Sequence, residues 1–125
     1  MRILLCEDYP SFVEIATRAL DGMGYQVAKV STNGHEAMYA VANEGPWDVV
    51  ISDYDLGFGP TGDDVAAMAL HEDVSTVVLW SSIRRDLPGE VRTSSRQDER
   101  FHLLEKNEMD ALRAILRDAE WTPSE

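Results

Sequence analysis

Charged and hydroxyl side chains stand where four short apolar runs end. Glu7-Asp8 follows Ile3–Cys6, Asp53-Tyr54-Asp55 follows Trp47–Ser52, Ser81-Ser82 follows Thr76–Trp80, and Lys106 follows Phe101–Leu104. Such residues are poor material for a core, and as a group they fit phosphoryl chemistry. Carboxylates gathered in one place raise each other's pKa unless a cation sits among them. An all-oxygen donor set selects Mg²⁺ or Mn²⁺, and Mg²⁺ commonly takes one or two carboxylates, a phosphate oxygen and waters. A carboxylate such as Asp53 can then attack phosphorus to form an acyl phosphate. Lys106 would give a point charge to one transferring oxygen and the Ser81 hydroxyl a hydrogen bond to another.

That chemistry requires the four run ends to converge. The apolar runs have strand length, and between them apolar residues recur at helical spacing. Phe12, Ile15, Ala16, Ala19 and Leu20 mark one face of a first helix that stops near Gly22 and Gly24. Tyr25–Val30 reads as a further strand. Asn33-Gly34 is a turn signal before a stripe of Ala37, Met38, Val41 and Ala42, which ends at Gly45-Pro46. Asp63–His71 is a third helix, and Met109, Leu112, Ile115 and Leu116 line the last. Alternating strands and helices predict an α/β fold: a flavodoxin-like, doubly wound, five-stranded parallel sheet in the order 2-1-3-4-5. In that arrangement the crevice lies beyond the carboxyl ends of the strands, where the charged residues stand.

At this point the sequence resembles the receiver domain of two-component response regulators, over residues 1 to 119, with 120–125 as a C-terminal tail. LLCEDYP resembles the family's acidic pair, VVISDYD its phosphoacceptor, VVLWSS its hydroxyl switch and HLLEK its lysine. NGHEA resembles the start of the family's second helix. The resemblance implies that Glu7 and Asp8 are metal-site acids, that Asp53 is phosphorylated and also touches the metal, and that Asp55 binds the metal through its backbone carbonyl. Ser81 and Lys106 would clamp the phosphoryl group. It further implies Mg²⁺ as cofactor, a histidine kinase or histidine phosphotransfer protein as donor, and a downstream protein target. No enzymatic turnover beyond self-phosphorylation and autodephosphorylation is expected.

Three departures from the family carry expectations of their own. The loop Gly57–Thr61 is expected to be longer and looser, Asn107 replaces the proline after the lysine, and Leu103 holds the place of the usual aromatic readout. Phe101 and His102 are neighbours that could substitute, although an ordinary strand aromatic and a strand-edge histidine are the simpler readings. The fourth helix, from Ile83 to about Gln97, is expected to be short or irregular because it holds Pro88-Gly89 and little apolar periodicity. The arginines at 84, 85, 92, 96 and 100 could dock an acidic partner.

Two other functions fit parts of the pattern. Asp53-Tyr54-Asp55 also matches the Asp-x-Asp nucleophile of haloacid-dehalogenase-like phosphatases, in which the second acid protonates the leaving group. A phosphorylation-independent interaction module on the same fold is the other. With 23 acids against 11 bases the net charge is −12, which disfavours attraction to a nucleic-acid backbone. The apolar runs are too short for a signal peptide or a membrane span. The single cysteine, Cys6, suits a reducing cytoplasm and reads as a small buried residue. A monomer or weak dimer is expected.

Overall fold

The computed structural model describes residues 1–82 and 97–120. Its elements run β1 (Ile3–Cys6), α1 (Pro10–Gly22), β2 (Val27–Ser31), α2 (Gly34–Asn43), β3 (Val49–Asp53), α3 (Gly62–His71), β4 (Thr76–Ser81), β5 (Phe101–Glu105) and a C-terminal helix (Met109–Glu120). The helix expected from Ile83 to about Gln97 falls, but for its last residue, outside the described residues, as do Arg84, Arg85, Arg92 and Arg96. Glu120, placed in the tail by the sequence, is the last residue of the C-terminal helix, and its carboxylate accepts a hydrogen bond from the Tyr25 hydroxyl at 2.8 Å.

All strand pairings are parallel, in the order β2-β1-β3-β4-β5. β1 and β4 are buried along their whole length and β3 up to Asp53. Burial of every residue in a strand requires cover on both faces, which a parallel sheet with helical crossovers supplies. One face packs on α2 and α3 through Leu4, Val50, Val77 and Leu79 against Ala37, Val41, Val65 and Ala69. The other packs on α1 and the C-terminal helix through Ile3, Leu5, Ile51, Val78 and Trp80 against Phe12, Leu20, Leu112 and Leu116. Fully burying a leucine such as Leu20, Leu112 or Leu116 contributes roughly 1.5–3 kcal/mol.

The helix starts are specified locally. Pro10 opens α1, where its missing N–H costs nothing. The Asn33 side chain caps α2 by accepting from the Glu36 N–H at 2.9 Å, and Thr61 and Asp64 cap each other reciprocally at the start of α3. The buried face of α1 consists of Phe12, Ala16 and Leu20, and the expected member Ile15 is 57% exposed. A stripe spaced by fours drifts slowly round a helix, so Ile15 falls beyond its edge.

Candidate functional site

β1, β3, β4 and β5 all end at the same edge of the sheet, and the registers fix how their ends meet. Cys6 pairs with Ser52, Asp53 with Trp80, and Ser81 with Glu105. Glu7 therefore follows β1 beside the end of β3, and Lys106 follows β5 beside the end of β4. The Lys106 N–H donates to the Ser81 carbonyl at 2.8 Å.

Glu7, Asp8 and Asp53 each present a carboxylate oxygen within 4.8 Å of the others. Glu7 is buried, Asp53 half-buried and Asp8 exposed, so the group opens to solvent from one side. The Lys106 amine lies 2.9 Å from Glu7 Oε1 and 3.6 Å from Asp53 Oδ1. Glu7 Oε2 is buried without a hydrogen-bond partner. Burial is the main force pushing the Glu7 carboxyl up to about 7, with Asp53 adding to it and Lys106 opposing. Burial likewise raises Asp53, against the pull of Glu7 and Lys106.

An orphaned buried carboxylate oxygen is costly unless something binds it. Three converging carboxylates and no soft donor at that point fit a hard divalent cation. Cys6, one residue away, is no competitor: its buried thiol is pushed up to about 12.

Ser81, buried, ends β4 next to the strand that carries Asp53. Asp55 stands apart. Its exposed side chain accepts from the Gly57 N–H at 3.0 Å and lies outside the group of three carboxylates. The loop that follows is pinned where it meets α3. Gly62 N–H donates to the Tyr54 carbonyl at 2.7 Å, and a Cβ on Gly62 would lie 2.0 Å from the Asp53 carbonyl oxygen. Among the described residues the sole cis peptide is Gly45-Pro46, so Lys106-Asn107 is trans.

No protein-family model matches the sequence, and neither does any curated protein. Solved structures do match. A receiver domain (CheY-like) from Methylobacillus flagellatus superposes with a TM-score of 0.75 at 26% identity, over 96% of this chain and 98% of that one. The chain has the fold of a response-regulator receiver domain. The signal receiver domain of NarL from Mycobacterium tuberculosis aligns at 27% identity and a TM-score of 0.74, covering 97% of each chain. The N-terminal domain of a response regulator/sensory box/GGDEF three-domain protein from Carboxydothermus hydrogenoformans reaches 0.77 at 21% identity, over 95% and 93% of the two chains.

Within this receiver fold, the sequence located the carboxylates and the lysine but missed two neighbours. Phe12 was assigned to the core alone, yet the Lys106 amine sits 4.0 Å from its ring centroid. Gly57 was assigned to a loose loop, yet a Cβ there would lie 3.6 Å from Asp8 Oδ2. The available signal for the first was position: Phe12 is in the first turn of α1, the helix that follows the acidic pair. Leu103 is buried on the α2–α3 face, and Phe101 packs in the same cluster. His102 is half-buried, with burial holding its pKa below the usual value against the opposing charge of Asp118.

Proposed function

We propose that this chain accepts a phosphoryl group on Asp53 from a phosphohistidine donor, a histidine kinase or histidine phosphotransfer protein, in two-component or phosphorelay signalling. The observation that carries the reading is the convergence of Glu7, Asp8 and Asp53 around a buried, unpartnered carboxylate oxygen, with one amine reaching both Glu7 and Asp53.

The reaction forms a bond between an Asp53 carboxylate oxygen and phosphorus as the donor's N–P bond breaks. The bonding pair goes to the imidazole nitrogen, which takes up a proton from solvent. Mg²⁺, or Mn²⁺, held by Glu7, Asp8, Asp53 and the Asp55 backbone carbonyl, would supply charge neutralisation at the transferring oxygens. Lys106 binds a second oxygen as a point charge, and the Ser81 hydroxyl hydrogen-bonds a third. Lys106, 3.6 Å from Asp53, opposes the burial that raises the Asp53 carboxyl.

Hydrolysis of the acyl phosphate resets the site, so the chain is a signalling acceptor and not a turnover enzyme. The phosphatase alternative asks Asp55 to protonate a leaving group. Its side chain instead turns back onto the loop at Gly57. The modified domain acts through contact with a downstream protein in the cytoplasm. No described helix is long and apolar enough to cross a membrane.

The test is incubation with acetyl phosphate and Mg²⁺ followed by intact-mass spectrometry. Wild type gains one phosphoryl group, labile to hydroxylamine, and Asp53→Asn gains none. A mass gain that survives the substitution places the acceptor elsewhere and overturns the reading.

A further inference from the structure

Lys106 carries its charge on a flexible four-carbon stem, and such a stem does not choose a single position without support. Two backbone ties fix where the stem begins. The Lys106 N–H donates to the Ser81 carbonyl at 2.8 Å, and the Trp80 indole N–H donates to the Glu105 carbonyl at 3.0 Å. At the far end, the amine lies 4.0 Å from the Phe12 ring centroid, 2.9 Å from Glu7 Oε1 and 3.6 Å from Asp53 Oδ1.

The ring in turn is held by the indole. Phe12 and Trp80 have centroids 5.1 Å apart and planes tilted by 50°, and they are 8% and 2% exposed. β4, α1 and the end of β5 thus form a closed bracket around the lysine. Trp80 fixes the backbone before Lys106 and also braces the surface on which the Lys106 amine rests.

We propose that Phe12, braced by Trp80, is a positioning residue for Lys106, its ring face holding the amine over the gap between Glu7 and Asp53. An aromatic face attracts a cation through its quadrupole, a preference worth roughly a two- to thirtyfold gain in occupancy between exposed and desolvated settings. A side chain of similar bulk without a ring fills the core equally well but offers the amine no such face. The carboxylates attract the amine over a range of directions, and the ring selects among them. The kinetic consequence rests on the phosphoacceptor reading of Asp53, whereas the spectroscopic one does not.

The experiment has two arms. In the NMR spectrum of wild type, the methylene protons beside the Lys106 nitrogen are shifted upfield by the Phe12 ring current relative to those of Lys29, the only other lysine in the chain. Equivalent shifts for the two lysines overturn the proposal without any variant being made. In the second arm, Asp53 phosphorylation by acetyl phosphate at saturating Mg²⁺ is compared among wild type, Phe12→Met and Phe12→Tyr. Phe12→Met slows it by roughly three- to tenfold while leaving the Mg²⁺ midpoint unchanged, and Phe12→Tyr, which keeps a ring, restores the rate. A folded Phe12→Met protein that reacts at the wild-type rate refutes the positioning role. A wild type that is never modified on Asp53 removes the phosphoacceptor reading instead, and the ring-current shift then decides the positioning by itself.

Discussion

Glu7 concentrates the electrostatics of the site in one side chain. Buried beside Asp53, it holds a proton more tightly in the folded chain than in the unfolded one, with its pKa raised from 4.5 to about 7. A raised folded-state pKa means that the native state binds more protons between those values, so stability falls as pH rises through the window. The contribution is fully present below about pH 4.5 and is lost above about 7, an effect on the order of 3 kcal/mol. In metal-free protein, the urea midpoint of wild type should therefore fall between pH 5 and pH 7.5 relative to that of Glu7→Gln, whose side chain does not titrate. Asp53, raised chiefly by burial, adds to the fall in both proteins, and His102, its pKa lowered by burial, opposes it in both. Parallel pH profiles would mean that the Glu7 carboxylate is ionised and compensated without a metal. The convergence of Glu7, Asp8, Asp53 and Lys106 was legible in the sequence because each stands where an apolar run stops, and a parallel sheet brings such stops to one edge. Phe12 was not legible as part of the site, because a phenylalanine on a helix face reads the same whether or not an amine rests on its ring.

Strands and the start of α2 were the most legible elements, since β-length apolar runs and Asn33 before an apolar stripe each carry their own signal, whereas Thr61, read as the end of a loop, is the cap of α3. What the sequence hid was the tightness of the link between β3 and α3. The residue that closes the Gly57–Thr61 loop, Gly62, has no room for a side chain against the Asp53 carbonyl. A Cβ there would lie 2.0 Å from that oxygen and 2.7 Å from Tyr54 Cα, and backbone atoms cannot yield as a flexible side chain can. Gly62→Ala is expected to destabilise the fold by about 3 kcal/mol or more and to weaken Mg²⁺ binding, because the end of β3 must move to admit the methyl group. Thr61→Ala removes only the cap of α3, so it should cost about 1 kcal/mol and leave Mg²⁺ affinity intact. Urea unfolding and Mg²⁺ titration on the two variants separate these outcomes. Equal losses in both would indicate that the glycine serves the helix start alone. Gly57, at φ 79 against Asp8, places a second glycine at the site for a different reason, a backbone conformation that side chains disfavour.

The whole molecule is acidic, with a net charge of −12, and its most crowded described carboxylates sit at the open edge of the sheet. Any salt should relieve the general self-repulsion to some extent. A cation bound by Glu7, Asp8 and Asp53 should do something different in kind: it binds the native state alone, because the unfolded chain does not bring those residues together. Its stabilisation then follows RT ln(1 + [Mg²⁺]/Kd), about 1.4 kcal/mol at ten times Kd, which for a domain of this size raises the melting temperature by roughly 4–6 °C. Sodium chloride at matched ionic strength should give a smaller rise that does not saturate. Asp8→Asn makes the comparison decisive. Asp8 is exposed, so the substitution leaves the core alone and lessens the repulsion in the metal-free site. It should raise the melting temperature without Mg²⁺ and abolish the saturable Mg²⁺ increment. If Asp8→Asn kept the increment, or if sodium matched magnesium in wild type, the three carboxylates would be neighbours without a shared ligand. The acyl-phosphate chemistry assigned to Asp53 would then lack its electrostatic support.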